Sequence, residues 1–172
     1  MKIDYNVTEE AFVEFNVFHA KNSKAIRKSM TIQRFLVPII YLLVGVIFSF
    51  ILDVPVLFLV IPFLILGILW IIFFPAYFNR QIKRTAKKMI REGKNEGVLG
   101  KHSMSFTGEG LREIGARGET TVSWSGIENL KEDQCNFYVY NSGVTAFIVP
   151  KKDLINIEEV RSLLQNKISQ QA

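Results

Sequence analysis

Residues 35–52, "FLVPIIYLLVGVIFSFIL", and 54–78, "VPVLFLVIPFLILGILWIIFFPAYF", decide how the rest of the chain is read. From Phe35 to Phe78 the single charged residue is Asp53. As helices the two runs reach about 27 Å and about 37 Å at 1.5 Å per residue. Each is long enough to cross a hydrocarbon core about 30 Å thick, the second with room to tilt. Neither run has a polar face, which a helix buried at the edge of a soluble protein would need. The expectation is a two-helix transmembrane hairpin, with helices at about 35–52 and 54–78. Asp53, in "LDVP", is read as its turn, capping the second helix with Pro55 in the first turn. No second ionisable group joins it across the span, which argues against an intramembrane proton relay. Pro38, Pro62 and Pro75 are expected to kink their helices, and Gly45 with Ser49 offers a small face for close helix contact.

The flanks set the orientation. Lys21, Lys24, Arg27, Lys28 and Arg34 precede the hairpin. Arg80, Lys83, Arg84, Lys87, Lys88, Arg91 and Lys94 follow it, and the turn between has no basic residue. The positive-inside rule therefore puts both termini in the cytoplasm and Asp53 outside, for a multi-pass protein of the cell membrane. Arg80, Lys83, Arg84, Lys87, Lys88 and Arg91 recur at helical spacing opposite Ile82, Ala86, Met89 and Ile90. They are the expected membrane-surface binding residues, on a basic amphipathic stalk (79–95) that attracts anionic lipids.

Charge argues against nucleic acid. Of 172 residues, 21 are Lys or Arg and 16 are Asp or Glu. Residues 1–94 hold 13 basic and 6 acidic residues, a balance of +7, and the rest hold 8 and 10, a balance of −2. The positive excess sits beside the membrane, and the remaining domain lacks the basic face a nucleic-acid reader needs.

The N-terminal region (1–34) begins with "KIDYNV", which alternates like a strand. Thr8 is placed to cap a helix with Glu9 and Glu10 in its first turn, and Phe12, Phe15, His19 and Ile26 follow at roughly helical spacing. His19 has neither a Cys nor another His nearby for a metal. The C-terminal region (96–172) is rich in Val, Thr, Phe and Tyr, punctuated by turn residues. Strands are expected near 101–106, 111–115, 119–124, 127–133, 135–141 and 144–149. Turns are expected at 108–110, 116–118 and 141–143, the last a tight hairpin loop. Ile157, Val160, Leu164 and Ile168 then keep helical spacing. Trp124 and Phe147 are the core anchors, and Cys135, the one cysteine, is expected to be a small packed residue.

"SFTGEGL" (105–111), "VSWSGIENL" (122–130) and "AFIVPKKDL" (146–154) resemble the successive signatures of the YcxB-like family of bacterial membrane proteins. The N-terminal strand, aromatic-rich helix and hairpin are similar to that family too. The resemblance implies a pleckstrin-homology-like C-terminal domain, no established reaction and no catalytic residues. The fold class expected is thus an α+β membrane protein, its transmembrane hairpin set before an antiparallel pleckstrin-homology-like β-barrel capped by a C-terminal α-helix. Such a barrel has seven strands, and six follow residue 100, so "KIDYNV" is expected to supply the seventh. The hairpin would then be an insertion within one domain, with Ile3 and Tyr5 facing the core and Asp4 and Asn6 facing water, or the reverse if the register slips by one.

Functional expectations are modest. No paired-His metal motif, phosphate-cradling loop or Ser–His–Asp set stands out, so no enzyme, cofactor, catalytic or metal site is expected. His102, near Ser103 and Ser105, is read as a structural polar cluster. Lys151 and Lys152 are read as a solvated helix entrance. The expected role is a membrane-anchored cytoplasmic interaction module that docks a protein or peptide at the inner face of the membrane. The alternative is an immunity or stress protein guarding the membrane against a bacteriocin-like peptide. A third reading, lipid head-group binding by the C-terminal domain, has only Lys101, Arg112 and Arg117 to rest on, among Glu109, Glu113 and Glu119. Expected partners are a bilayer with anionic lipids and an unidentified protein or peptide, with a homo-oligomer left open.

Overall fold

The computed structural model describes residues 1–93, 96–116 and 118–170. The elements run β1 (Lys2–Val7), α1 (Glu9–Asn22), α2 (Lys24–Leu52), α3 (Val56–Arg91), β2 (Gly100–Phe106), β3 (Gly110–Gly115), β4 (Gly118–Ser123), β5 (Asn129–Glu132), β6 (Asn136–Tyr140), β7 (Ala146–Pro150) and α4 (Ile157–Ser169). They divide into two compact units. One joins Met1–His19 to the chain from Thr85 onward, and the other is Ala20–Arg84. The N-terminal region therefore does not stand apart as residues 1–34. Its strand and most of its helix belong with the C-terminal strands, which makes the hairpin an insertion.

In the hairpin unit, α2 and α3 are long and apolar enough to cross a membrane. Helix α2 starts before the expected span of 35–52, while α3 starts at Val56, just inside the expected 54–78, and runs on through the basic stalk to Arg91. Ser23 opens α2, its side chain accepting from the Ile26 N–H at 3.5 Å. That break puts Ile26 on a different helix from Phe12 and Phe15. Asp53 closes α2 instead of capping α3: it adopts the left-handed conformation (φ 52°, ψ 43°) and donates its N–H to Ser49 O. Asp tolerates that conformation better than β-branched residues do, so the turn reading holds and the capped helix changes. The Ser49 hydroxyl donates to Val54 O at 2.7 Å.

Small residues let the two helices touch. A Cβ on Gly45 would lie 2.8 Å from Phe63 Cδ2, and one on Gly67 would lie 3.1 Å from Pro38 Cβ. The Gly45–Ser49 face is thus used within the hairpin. Pro75, having no N–H, leaves the carbonyl of Ile71 one turn earlier without its helical donor. Arg34 Nε donates to that oxygen at 3.0 Å. Away from the helix contact, Phe50, Leu57 and Phe58 are 76%, 69% and 74% exposed, an apolar surface of the kind that membranes or partner proteins cover.

Among the described residues of the β unit, seven antiparallel strands form two sheets, ordered β1-β2-β3-β4 and β5-β6-β7. The expected barrel does not close. A 3₁₀ turn at Trp124–Gly126 carries the chain from one sheet to the other, and β5 is only four residues long. Strand β1 pairs with β2 in the register Ile3↔Met104 and Tyr5↔His102. Alternation then sends Ile3, Tyr5 and Val7 into the core while Lys2, Asp4 and Asn6 face out. Gly110 is required where β3 meets β4, since a Cβ there would lie 2.1 Å from Val122 O.

All five residues of β6 are buried. Tyr138 packs against Phe15 and Phe18 of α1, with ring centroids 5.5 and 4.7 Å away. Phe137, Val139, Trp124, Val160 and Leu164 belong to the same buried cluster. Asn156 caps α4 by accepting from Glu159 N at 3.1 Å, and Glu158 and Glu159 occupy the first turn, where the helix dipole favours negative charge.

Two local expectations change. The β6–β7 loop is longer than a tight turn, with Asn141 N donating to Thr145 O at 3.2 Å. Cys135 is exposed. Asp133 Oδ1 accepts from both Cys135 N and Asn136 N at 2.8 Å, an Asx turn that holds Cys135 out of the strand.

Candidate functional site

The six basic residues expected at the membrane surface all lie on α3, and all are exposed. Arg80, Lys83 and Arg84 belong to the hairpin unit, and Lys87, Lys88 and Arg91 to the β unit. Lys94 lies outside the described residues. Lys87 is 3.6 Å from Glu9, and Lys88 is 3.5 Å from Glu92. Exposed pairs of this kind contribute about 0–1 kcal/mol, too little to withdraw either lysine from another anion. On the opposite side Ala86 is buried, and Ile82, Met89 and Ile90 are half-buried.

The β unit holds a polar cluster whose other members come from distant sequence. His102 of β2 is buried and stacks on Tyr5 of β1, ring centroids 5.7 Å apart and planes 11° apart. Tyr5 donates its hydroxyl to Glu113 Oε1 at 2.5 Å. His102 Nδ1 lies 3.3 Å from the same oxygen, and Nε2 lies 3.1 Å from Val98 O. Gly115 makes the room: a Cβ there would lie 2.6 Å from His102 Cε1 and Nδ1. The Glu113 carboxylate within hydrogen-bonding range is the largest influence raising the His102 pKa above its ordinary value; burial opposes it, while Coulomb attraction to Glu113 and the Val98 carbonyl add to it. The Nδ1–Glu113 approach does not meet hydrogen-bond geometry. Burial, followed by the charge of Glu113 and the hydrogen bond to it, pushes the Tyr5 hydroxyl far up, so it stays a proton donor to the carboxylate.

Because His102 is more basic in the folded chain than its ordinary 6.5, its contribution to stability is fully present below that value. It is lost as pH rises through the raised folded value. His19 acts in the opposite sense: burial and then Lys131 lower its pKa, so its contribution is lost as pH falls. The thermal midpoint of wild type relative to His102→Gln is therefore expected to shrink as pH rises above 6.5, read by circular dichroism at matched pH. A pH-independent difference would contradict it.

A second cluster overturns the reading of Lys151 as solvated. Lys151 is buried, its Nζ 2.5 Å from Glu132 Oε2, bonded also to Asp133 O and 4.7 Å from the Phe137 ring centroid. Arg161 of α4 reaches Glu132 at 2.8 Å and pairs with Glu158. Arg161 first, and then burial acting against it and Lys151 acting with it, leave the Glu132 pKa lowered. Pro150 ends β7, and the short 3₁₀ turn Lys151–Asp153 folds the first lysine inward while Lys152 stays exposed. For head-group binding, Arg112 is 2.5 Å from Glu119 Oε2, so a carboxylate already faces it. Arg117 lies outside the described residues. Among the described residues, no group of three His, Cys, Asp or Glu side chains is arranged to hold a metal.

The run from Phe106 through β3–β7 into α4 carries Glu113 and the Lys151 contacts, but not Tyr5 or His102. This stretch, residues 106–165, matches the family described as YcxB-like protein. The chain is YcxB-like over those residues. Strand β1, its partner strand β2 apart from Phe106, and the hairpin lie outside the matched stretch. No curated protein and no solved structure matches.

Sequence reasoning placed His102 correctly on a strand but missed its partners. Tyr5 lies 97 positions away, although the alternation of "KIDYNV" turns it inward with Ile3. Glu113 shares the inward register of Leu111 two residues earlier. A carboxylate on a core-facing register is the signal that would have found it.

Proposed function

We propose that this YcxB-like chain is a two-pass protein of the cell membrane with both termini in the cytoplasm, where its β unit docks a protein or peptide at the inner face. The observation that carries this reading is the charge pattern around the hairpin. Two long apolar helices with exposed apolar faces are flanked by Lys and Arg at both outer ends, and their connecting turn has none. The exposed basic residues from Arg80 to Arg91 would hold that end of α3 against anionic lipid. Seven antiparallel strands in two sheets followed by a helix support a pleckstrin-homology-like reading of the β unit. Such folds carry many kinds of partner, so the fold does not name this one.

Topology is the test. A compartment-sensitive reporter at the C-terminal end is expected to be active only in the cytoplasmic format, and an epitope inserted beside Asp53 to be labelled in intact cells. An externally accessible C terminus would overturn the reading.

A further inference from the structure

The hairpin unit contains a cleft of about 170 Å³ lined by residues from three helical segments. Lys21 and Arg27 supply charge, Asn79 supplies an amide, and Met30, Pro75 and Phe78 supply apolar wall. No carboxylate lines it. Among the described residues neither Lys21 nor Arg27 forms an ion pair, whereas Lys87 and Lys88 on α3 both do. The cleft also sits where α3 changes character, between the apolar "WIIFFPAYF" (70–78) and the basic "NRQIKR" (79–84). Trp70, five residues before Pro75, and Tyr77, next to Phe78, are residue types that favour the boundary between lipid and water. An occupant that satisfies both halves has an anionic head and an apolar body.

We propose that this cleft binds one anionic phospholipid, its phosphate held by Lys21 and Arg27 and its glycerol and upper acyl chain laid on Met30, Pro75 and Phe78. This rests on the membrane reading above and makes it specific. The diffuse attraction of a basic helix for a charged leaflet is non-stoichiometric, whereas a cleft holds one molecule. The two cations come from either side of the α1–α2 break, so Ser23, which begins α2, helps set their spacing.

The test uses the full chain purified in an uncharged detergent, with native mass spectrometry as phosphatidylglycerol or phosphatidylcholine is added. Wild type is expected to retain one phosphatidylglycerol at concentrations where phosphatidylcholine is not retained. The double variant Lys21→Gln/Arg27→Gln should need roughly thirtyfold more lipid for the same occupancy. Lys24→Gln/Lys28→Gln, exposed on α2 but outside the cleft lining, removes the same charge and should behave as wild type. Both pairs are exposed, and unchanged circular dichroism would show that the variants fold. Equal retention by the two double variants would overturn the site, as would equal retention of phosphatidylcholine. Displacement of the lipid by millimolar glycerol phosphate would show a phosphate site only and overturn the lipid assignment. Partition into liposomes reports separately on the membrane reading: a chain that inserts but retains no lipid sinks the cleft alone, and one that fails to insert sinks both.

Discussion

Deleting residues 1–7 is expected to unfold the β unit, although the deletion lies more than ninety residues from the strand it pairs with. Ile3, Tyr5 and Val7 are 9%, 4% and 3% exposed. Burying three such side chains contributes about 5–9 kcal/mol, comparable to the whole stability of an ordinary domain, about 5–15 kcal/mol. The deletion also removes the hydroxyl that Tyr5 gives Glu113 and the Asn6 N–H bond to Asp153 Oδ2 at 2.8 Å. Strand β2 would lose its ladder partner on one side, exposing N–H and C=O groups that then need new partners. Ile3→Asp should act in the same direction by placing a carboxylate in that core, while Asp4→Ala on the outward register should be nearly neutral. Hydrogen exchange on the detergent-solubilised chain reads the effect. Protection is expected to fall first at 100–106 and to extend to 146–150, since β7 also contacts β1. Unchanged protection at 100–106 would contradict it.

Trp124→Ala is expected to be the most damaging single substitution outside β1. Trp124 is 1% exposed in the 3₁₀ turn that joins the two sheets, and its indole N–H donates to Thr107 O at 3.1 Å. Its own backbone N–H donates to Glu109 O at 3.1 Å. One side chain thus fills the core and fastens the β2–β3 turn to the sheet crossing. Truncation should cost about 3–5 kcal/mol. Trp124→Phe keeps much of the apolar volume and loses the indole donor, so it should cost roughly 1–3 kcal/mol. Thermal midpoints from near-ultraviolet circular dichroism should rank wild type, Phe and Ala in that order. An Ala variant within experimental error of wild type would contradict the assignment of Trp124 as an anchor.

Periodicity was informative wherever one physical requirement dominated. Forty-four residues with one charge admit few fates in water, and "KIDYNV" could not stand alone because a lone strand leaves its backbone unpaired. The six later strands were each located to within a few residues for the same reason. What escaped detection depended on side chains meeting across the fold. Cys135 looked like a strand residue because its neighbours are aromatic, but Asp133 uses its carboxylate to turn the backbone there. Lys151 looked solvated beside Lys152, but Glu132 and the Phe137 ring compensate its burial. Asp53 was legible as a turn, while the helix it closes depended on a left-handed φ that composition does not specify. The contacts of His102 with Tyr5 and Glu113 required the β1–β2–β3 register, which alternation alone leaves free to slip by one residue.

Cysteine cross-linking across β1 and β2 tests most directly whether the hairpin is an insertion within one domain. In a Cys135→Ser background, Asp4→Cys with Ser103→Cys and Asn6→Cys with Lys101→Cys place thiols on directly opposed register partners. Directly opposed residues in antiparallel strands lie about 4.5–5.5 Å apart at Cα, within the reach of a disulfide. The mismatched pair Asn6→Cys with Ser105→Cys is displaced by four residues, roughly 13 Å along the strand. Oxidation in native membranes is expected to cross-link both matched pairs within single chains, seen as a mobility shift that reductant reverses, and to leave the mismatched pair free. Absence of the matched cross-links, or equal cross-linking of the mismatched pair, would contradict the insertion.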